Sequence, residues 1–300
     1  MPVVNSRRRF LSITATASAS LSTLLSMAPR ASAAGNRKEG YGSVIVLNTA
    51  LAQSLRVLGF DKFGMCQRTF YAQHIKEPPL SPAIFDIGTI TEPNLELLAQ
   101  IRPSLILRSP GIGPDSRALK SIAPVIDIPY YIDNLDHFDS AFRMLLHVAR
   151  IVNAEEEANI YLKNLELVFD KARNAVAEFQ GRSLLGIDMA WGTTFAVWGR
   201  GSPFDGALKA IGLHNAIRHK ATRSAWAYAS FQELFAMEDV WCVHFGPLSS
   251  KILSSPVWSA LPFVRNDRLI SLPATYQHVA GLPTVEHIAR SLGQALEIRS

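Results

Sequence analysis

Apolar residues recur at three- and four-residue steps through Ala158, Tyr161, Leu162, Leu165, Val168, Phe169, Ala172, Val176 and Phe179, the period of one face of an amphipathic helix. Neither proline nor glycine interrupts the chain between Pro129 and Gly181. Asn153 and Glu156 have the spacing of a capping box, Glu155, Glu156 and Glu157 suit the positive start of a helix, and Gly181 is placed to end it. The pattern predicts a helix of roughly 25 residues, about 40 Å long at 1.5 Å per residue.

On either side of this helix the pattern changes to short apolar runs alternating with helical stretches. Before it, strand candidates at 44–47, 63–66 and 105–107 alternate with helices around 50–58 and 95–101. After it, strand candidates at 183–187, 195–198 and 240–245 alternate with helices around 204–211 and 231–237, and a last helix, 282–298, closes the second half. The fold class is therefore α/β, with two α/β lobes joined by a single long helix and a ligand cleft between the lobes. One stiff connecting element allows little hinge motion, so the cleft is expected to be largely preformed.

The first residues belong to neither lobe. Arg7, Arg8 and Arg9 precede Phe10 and Leu11, a mildly apolar run rich in Ala, Ser, Thr and Leu reaches Met27, and Ala31-Ser32-Ala33 is a small-x-small cleavage site. This order reads as a twin-arginine export signal over residues 1–33. The chain then divides into an N-terminal lobe at 34–152, the linking helix at 153–181 and a C-terminal lobe at 182–300. Removing residues 1–33 takes away four arginines and no acids, so the formal net charge falls from +5 to +1. The basic sequence pI leaves with the signal, and no basic stripe for nucleic acid remains. Cys66 and Cys242, the two cysteines, each stand among apolar residues and in different lobes, which predicts buried free thiols.

Chemistry that needs fixed spacings is missing. The chain has no C-x-x-C, H-E-x-x-H, G-x-S-x-G, Walker loop or G-x-G-x-x-G, and Gly111-Ile112-Gly113 and Gly199-Arg200-Gly201 lack a third glycine. Its eight histidines are scattered, with His244 inside an apolar strand the one of most interest. No catalytic residue and no cofactor is assigned. An enzyme exported by the twin-arginine route is the reading from another class.

Wording adds to pattern between residues 77 and 124, with its blocks Glu-Pro-Pro-Leu at 77–80, Asp-Ile-Gly at 86–88, Thr-Glu-Pro-Asn-Leu-Glu-Leu-Leu at 91–98, Pro-Ser at 103–104 and Ile-Ala-Pro at 122–124, and again in Pro256-x-Trp258-x-Ala260-x-Pro262-Phe263-Val264-Arg265. These blocks closely resemble the periplasmic ferric-siderophore-binding proteins of ABC importers, above all their ferric-hydroxamate members, of the class with a helical backbone between lobes. The resemblance implies a monomeric, periplasmic substrate-binding protein that captures a ferric siderophore and delivers it to an inner-membrane ABC permease, without chemistry. Haem, a corrinoid or a catecholate siderophore on the same fold is the alternative.

Such a protein needs no metal ligand, because three hydroxamates already give ferric iron six oxygens. Its cleft needs aromatic walls and a cationic or hydroxyl donor. Where hydroxamate-binding relatives place a contacting arginine and tyrosine, this chain has Ile90 and Ile112, while Arg108 stands in place of a cleft tryptophan and is expected to supply the cation. Trp226, Tyr276 and His74 match further aromatic positions of the cleft, Tyr71 and Met189 are additional candidates, and Ala225, Ala227 and Ala229 are expected to leave room for a bulky ligand. A strongly anionic catecholate complex demands several arginines, for which Arg68, Arg108, Arg200 and Arg223 are available. The resemblance also places one permease-docking glutamate on each lobe, Glu96 and Glu233.

Overall fold

The computed structural model describes residues 43–75, 77–111, 113–130, 136–191, 194–218, 226–246, 248–272 and 280–299. The runs Val-Ile-Val and Leu-Ile-Leu-Arg become β1 (Val44–Val46) and β4 (Leu105–Arg108), buried throughout, as parallel strands covered on both faces are. They extend through β2 (Gly64–Met65), β3 (Phe85–Asp86) and β5 (Val125–Asp127) into a parallel sheet of order β3-β2-β1-β4-β5. Helices α1 (Thr49–Val57), α2 (Arg68–His74), α3 (Leu95–Ile101) and α4 (Ser116–Lys120) connect them. Asn48, Asn94 and Asp115 stand at three of the N-caps, each accepting a hydrogen bond from a backbone N–H of the first turn. Polar residues beyond the apolar runs thus set where the chain turns from strand to helix.

Two helices follow, α5 (His137–Ile151) and α6 (Glu155–Ala175). The second is the expected linking helix, at 21 residues somewhat shorter than its periodicity suggested. Its start differs from the expected capping box. Asn153 adopts φ +52 in the turn between α5 and α6, and Ala154 occupies the N-cap without a side-chain bond. Asn tolerates the left-handed region better than most residues, so the tight turn claims it. The three glutamates of the first turn are left to satisfy the helix start. Gly181, at φ +77, ends not α6 itself but the 3-10 turn Ala177–Phe179 that follows it.

The second sheet comprises β6 (Ser183–Trp191), β7 (Thr194–Trp198), β8 (His214–Asn215), β9 (Trp226–Ser230), β10 (Trp241–Phe245) and β11 (Leu269–Leu272), ordered β11-β10-β6-β7-β9 with β8 beside β6. Strands β11, β10 and β6 run parallel, whereas β7 is antiparallel to both its neighbours. Helices α7 (Pro203–Ile211), α8 (Phe231–Phe235), α9 (Ser250–Leu253), α10 (Pro256–Ala260) and α11 (Pro262–Arg265) accompany it, the last two opening on the prolines of the 256–265 block. The chain closes with α12 (Leu282–Glu297).

Helix α12 serves both halves of the molecule. It packs on α6 and α7 and reaches α1 and α5 of the first half. At Gly293 the approach is so close that an added Cβ would lie 3.1 Å from the Cα of Ala172 on α6. One buried cluster runs from Val44 and Leu55 through Leu165 and Phe169 to Leu292 and Leu296. The stiffness expected of one helix therefore rests on three, α5, α6 and α12, sharing a single core.

Polar groups bind the same seam. Gln53 of α1, fully buried, donates from Nε2 to the Glu77 carbonyl at 3.0 Å and to Thr284 Oγ1 at 2.9 Å, and its Oε1 accepts from Gly281 N at 2.7 Å. The next two carbonyls are held as well, Pro78 by the Tyr71 hydroxyl at 2.8 Å and Pro79 by Arg56 Nε at 2.9 Å. The Glu77 carboxylate meets Arg290 and His287 of α12. The Tyr130 hydroxyl accepts from Ala280 N at 2.9 Å and lies 3.0 Å from the Ala280 carbonyl. Block 77–80 is thus a clasp on the C-terminal helix.

Both cysteines are buried free thiols. Burial, aided by the neighbouring Asp86, pushes Cys66 up to about 12, and burial alone holds Cys242 well above the usual thiol range. His244 is also buried, with Nδ1 2.8 Å from the Gly246 carbonyl, and burial holds its imidazole below the usual histidine range. The folded protein therefore resists a proton that the unfolded chain accepts. This contribution to stability is complete above the ordinary histidine pKa of about 6.5 and is lost as pH falls below it. Between about pH 7.5 and pH 5, a His244→Gln variant should lose less Tm than wild type; parallel losses in the two proteins would show that His244 is not responsible.

Candidate functional site

In an open parallel sheet, ligands bind outside the carboxyl ends of the strands, beside the point where strand order reverses. In the first sheet that point lies between β1 and β4. Asn48 follows β1, and its Nδ2 donates to Ser109 Oγ at 2.8 Å, while Ser109 Oγ donates to the Ile128 carbonyl at 2.9 Å. This buried chain of bonds ties the ends of β1, β4 and β5 together. Beside it Arg108, the last residue of β4, stands in register with Asp127, the last residue of β5.

Arg108 is only 6% exposed and is held from two sides. Its Nε lies 3.0 Å from Asp127 Oδ1, an ion pair whose alignment falls short of a hydrogen bond, and its Nη1 donates to the Pro114 carbonyl. Nη2 has no acceptor among the described residues. Pro114 follows Gly113, whose φ is +82 and whose added Cβ would fall 2.5 Å from the Ile90 carbonyl. Only glycine fits that approach. The glycine-rich loop is thereby pressed against the loop after β3, and Arg108 staples it from the other side. Arg108 thus stands in the neighbourhood of Ile90, where the resemblance implies a cleft arginine.

In the second sheet Trp226 opens β9, opposite Trp198 of β7, and is half-buried against the main core. Its neighbours correct one expectation. Ala227 and Ala229 face the separate core around Leu185, Phe195 and Trp258, behind the sheet, because successive strand residues alternate between faces. They leave no room beside Trp226. Tyr228 instead shares the Trp226 face and is 55% exposed. The alternation Trp-Ala-Tyr-Ala-Ser over β9 is the sequence signal that places Tyr228 on this face. Tyr228 borders a groove of about 270 Å³ with Ala216, Ile217, Arg218, Glu233 and Met237.

The remaining candidates fall on both sides of this picture. Tyr71 is fully buried, its hydroxyl is engaged by Pro78, and burial raises its pKa well above the usual phenol range. Its position is that of a framework residue, so it is removed from the cleft set. His74, on the same short helix, is exposed and stacks on Phe70 with ring centroids 4.3 Å apart. Arg68 is directed inward, its Nε donating to the Ile84 carbonyl at 2.7 Å, and Arg200 is exposed. Tyr276, Ile112, Arg223 and Ala225 lie outside the described residues, as does the side chain of Met189.

Glu96 and Glu233 occupy matching places. Each lies in the first turn of a short helix, α3 or α8, is exposed, and has a partly exposed apolar residue on its helix, Leu95 or Phe235. They differ in local commitment. Glu233 completes a capping box, accepting from Ser230 N at 2.7 Å and from Ser230 Oγ at 2.9 Å, whereas the α3 cap is Asn94. Among the described residues, no three His, Cys, Asp or Glu side chains are grouped to hold a metal ion.

The sequence profile of a family described as periplasmic binding protein matches residues 44–276. The iron(3+)-hydroxamate-binding protein FhuD of Escherichia coli K12 is 29% identical over 300 residues, covering 99% of this chain and 98% of its own length. The Fe(3+)-citrate-binding protein YfmC of Bacillus subtilis 168 is 21% identical over 260 residues, covering 83% and 79%. Among solved structures, the siderophore-binding protein FhuD of Vibrio cholerae with bound Fe3+-Desferal is similar at a TM-score of 0.78 and 24% identity, over 86% of this chain and 98% of that one.

Proposed function

This chain belongs to the periplasmic binding protein family, and we propose that it captures a ferric siderophore of hydroxamate type and hands it to an inner-membrane ABC permease for iron uptake. The observation that carries this reading is the full-length likeness to an iron(3+)-hydroxamate-binding protein. A fixed arginine at the carboxyl edge of the first sheet supports it. The siderophore brings the six oxygens that ferric iron needs, so the protein has to recognise only the outside of the complex. Arg108 supplies the cationic donor to hydroxamate oxygens, Trp226 and His74 supply aromatic surface, and Tyr228 joins them. Tyr276 and Met189 complete the set by resemblance. The cargo is held and released without reaction, so the protein acts as a carrier and not as an enzyme. Residues 1–33 direct export to the periplasm by the twin-arginine route, and the mature lobes act as a monomer.

Titration of residues 34–300 with a ferric trihydroxamate, followed by tryptophan fluorescence, tests the site. Bound iron complexes quench nearby indoles, so Trp226→Phe should reduce the quenching amplitude while leaving the affinity within about threefold. Arg108→Ala removes a charge-assisted hydrogen bond of roughly 1.5–3 kcal/mol and should weaken binding by about ten- to a hundredfold. Wild-type affinity in the Arg108 variant would remove that residue from the site.

A further inference from the structure

We infer that Asp127 sets the charge of cargo that this site accepts, by pairing with the Arg108 guanidinium so that the two together present an oriented N–H donor with no net charge. The inference rests on the ferric-siderophore reading and adds a specificity residue to it. Arg108 and Asp127 end adjacent parallel strands in register, with Nε and Oδ1 3.0 Å apart. The arginine side chain retains 8% of its surface and the aspartate 43%, so the pair lies at the rim of the sheet with the carboxylate outermost. The Pro114 carbonyl holds Nη1, and Nη2, with no acceptor among the described residues, is left as the donor. A second feature acts in the same direction. Asp86 ends β3, and Asp115 caps the helix after the glycine-rich loop, both exposed, so the carboxyl edge of this sheet carries three carboxylates in all.

Charge counting then separates the classes of cargo. Iron(III) carries three positive charges. Three hydroxamates are three monoanions, which leave the iron centre neutral, whereas three catecholates are three dianions and leave it trianionic. A neutral complex gains a directed hydrogen bond from Nη2 without an electrostatic penalty. A trianion meets the Asp127, Asp86 and Asp115 carboxylates at this edge with the Arg108 cation already paired, and like-charge opposition of this kind excludes unwanted ligands.

The test compares two probes on mature wild type and on Asp127→Asn, which keeps shape and removes charge. The probes are ferrichrome, an uncharged ferric trihydroxamate, and ferric enterobactin, a trianionic tris-catecholate. In Asp127→Asn the ferrichrome Kd should stay within about threefold, while ferric enterobactin binds about tenfold tighter or more at low salt. That gain should vanish near 1 M salt, where the Debye length is about 3 Å. Asp127→Glu should retain the wild-type ratio. Because the readout is a ratio within one protein, a lower folded fraction does not mimic it. An unchanged ratio in Asp127→Asn overturns the inference, including when both affinities fall together. Wild type that binds no ferric complex overturns the underlying reading, and this inference with it.

Discussion

Replacing Gln53 by alanine is expected to cost about 4 kcal/mol of stability, since it strips partners from three groups, two buried and one half-buried, each worth about 1–3 kcal/mol when left unsatisfied. Those groups are the Gly281 N–H, the Thr284 hydroxyl and the Glu77 carbonyl. For a chain of this size the loss corresponds to a fall in Tm of about 10 °C. The same substitution breaks the bonds between α1 and the start of α12, one of the contacts by which the C-terminal helix grips the first half. Thermal unfolding followed by circular dichroism measures the effect. A fall of less than about 3 °C would mean that water or a rearranged backbone replaces the glutamine, and that the seam is held without it.

Glu96→Gln combined with Glu233→Gln should abolish most iron delivery while leaving capture intact. Glutamine is the chosen replacement because Glu233 also completes the α8 capping box, and a carbonyl oxygen can still accept from Ser230 N. Alanine there would mix loss of the cap, about 1 kcal/mol, with loss of charge. An exposed ion pair is worth under about 1 kcal/mol alone. In the proposed docking, two of them, one on each lobe and each beside an exposed apolar residue, would together fix the orientation of a large interface. Transport of siderophore-bound iron in cells whose only copy is the double variant should drop by about tenfold or more, with ligand Kd unchanged in the purified protein. Undiminished transport would sink the docking assignment.

Strong periodicity made most of the architecture legible from residues alone. The long helix, the buried strands at 44–46 and 105–108 and the closing helix all have apolar spacings that no other element explains. Strands β3, β5, β9 and β11 were not singled out. The first two are short and only partly buried, and β9 alternates small and aromatic residues without an apolar run. Asn153 has the right spacing for a cap, but spacing cannot show that the tight turn after α5 needs it at positive φ. Block 77–80 stands out in the sequence only by its wording, because nothing local reveals that the Glu77 carboxylate has partners more than 200 residues away, at His287 and Arg290.

The candidate site was legible in part. Arg108 was singled out from its place in the resemblance, but Asp127 carries no motif and enters only through the register of β4 and β5. Tyr71 and His74 both stand among the sequence candidates for the cleft. In the folded chain Tyr71 is in the core and His74 is exposed. A three-residue step on a helix normally keeps side chains together, whatever their partners. Here Pro78 draws the tyrosine hydroxyl inward while His74 remains outside against Phe70.

The central claim is capture of an intact ferric siderophore without chemistry. Isothermal titration of purified residues 34–300 with ferrichrome, followed by mass spectrometry of the ligand recovered from the cell, tests both parts at once. Saturable binding at one complex per chain, with Kd of about 1 μM or tighter and the siderophore recovered unchanged, is the predicted result. No heat of binding to this or any other ferric complex, or recovery of a cleaved siderophore, would contradict it.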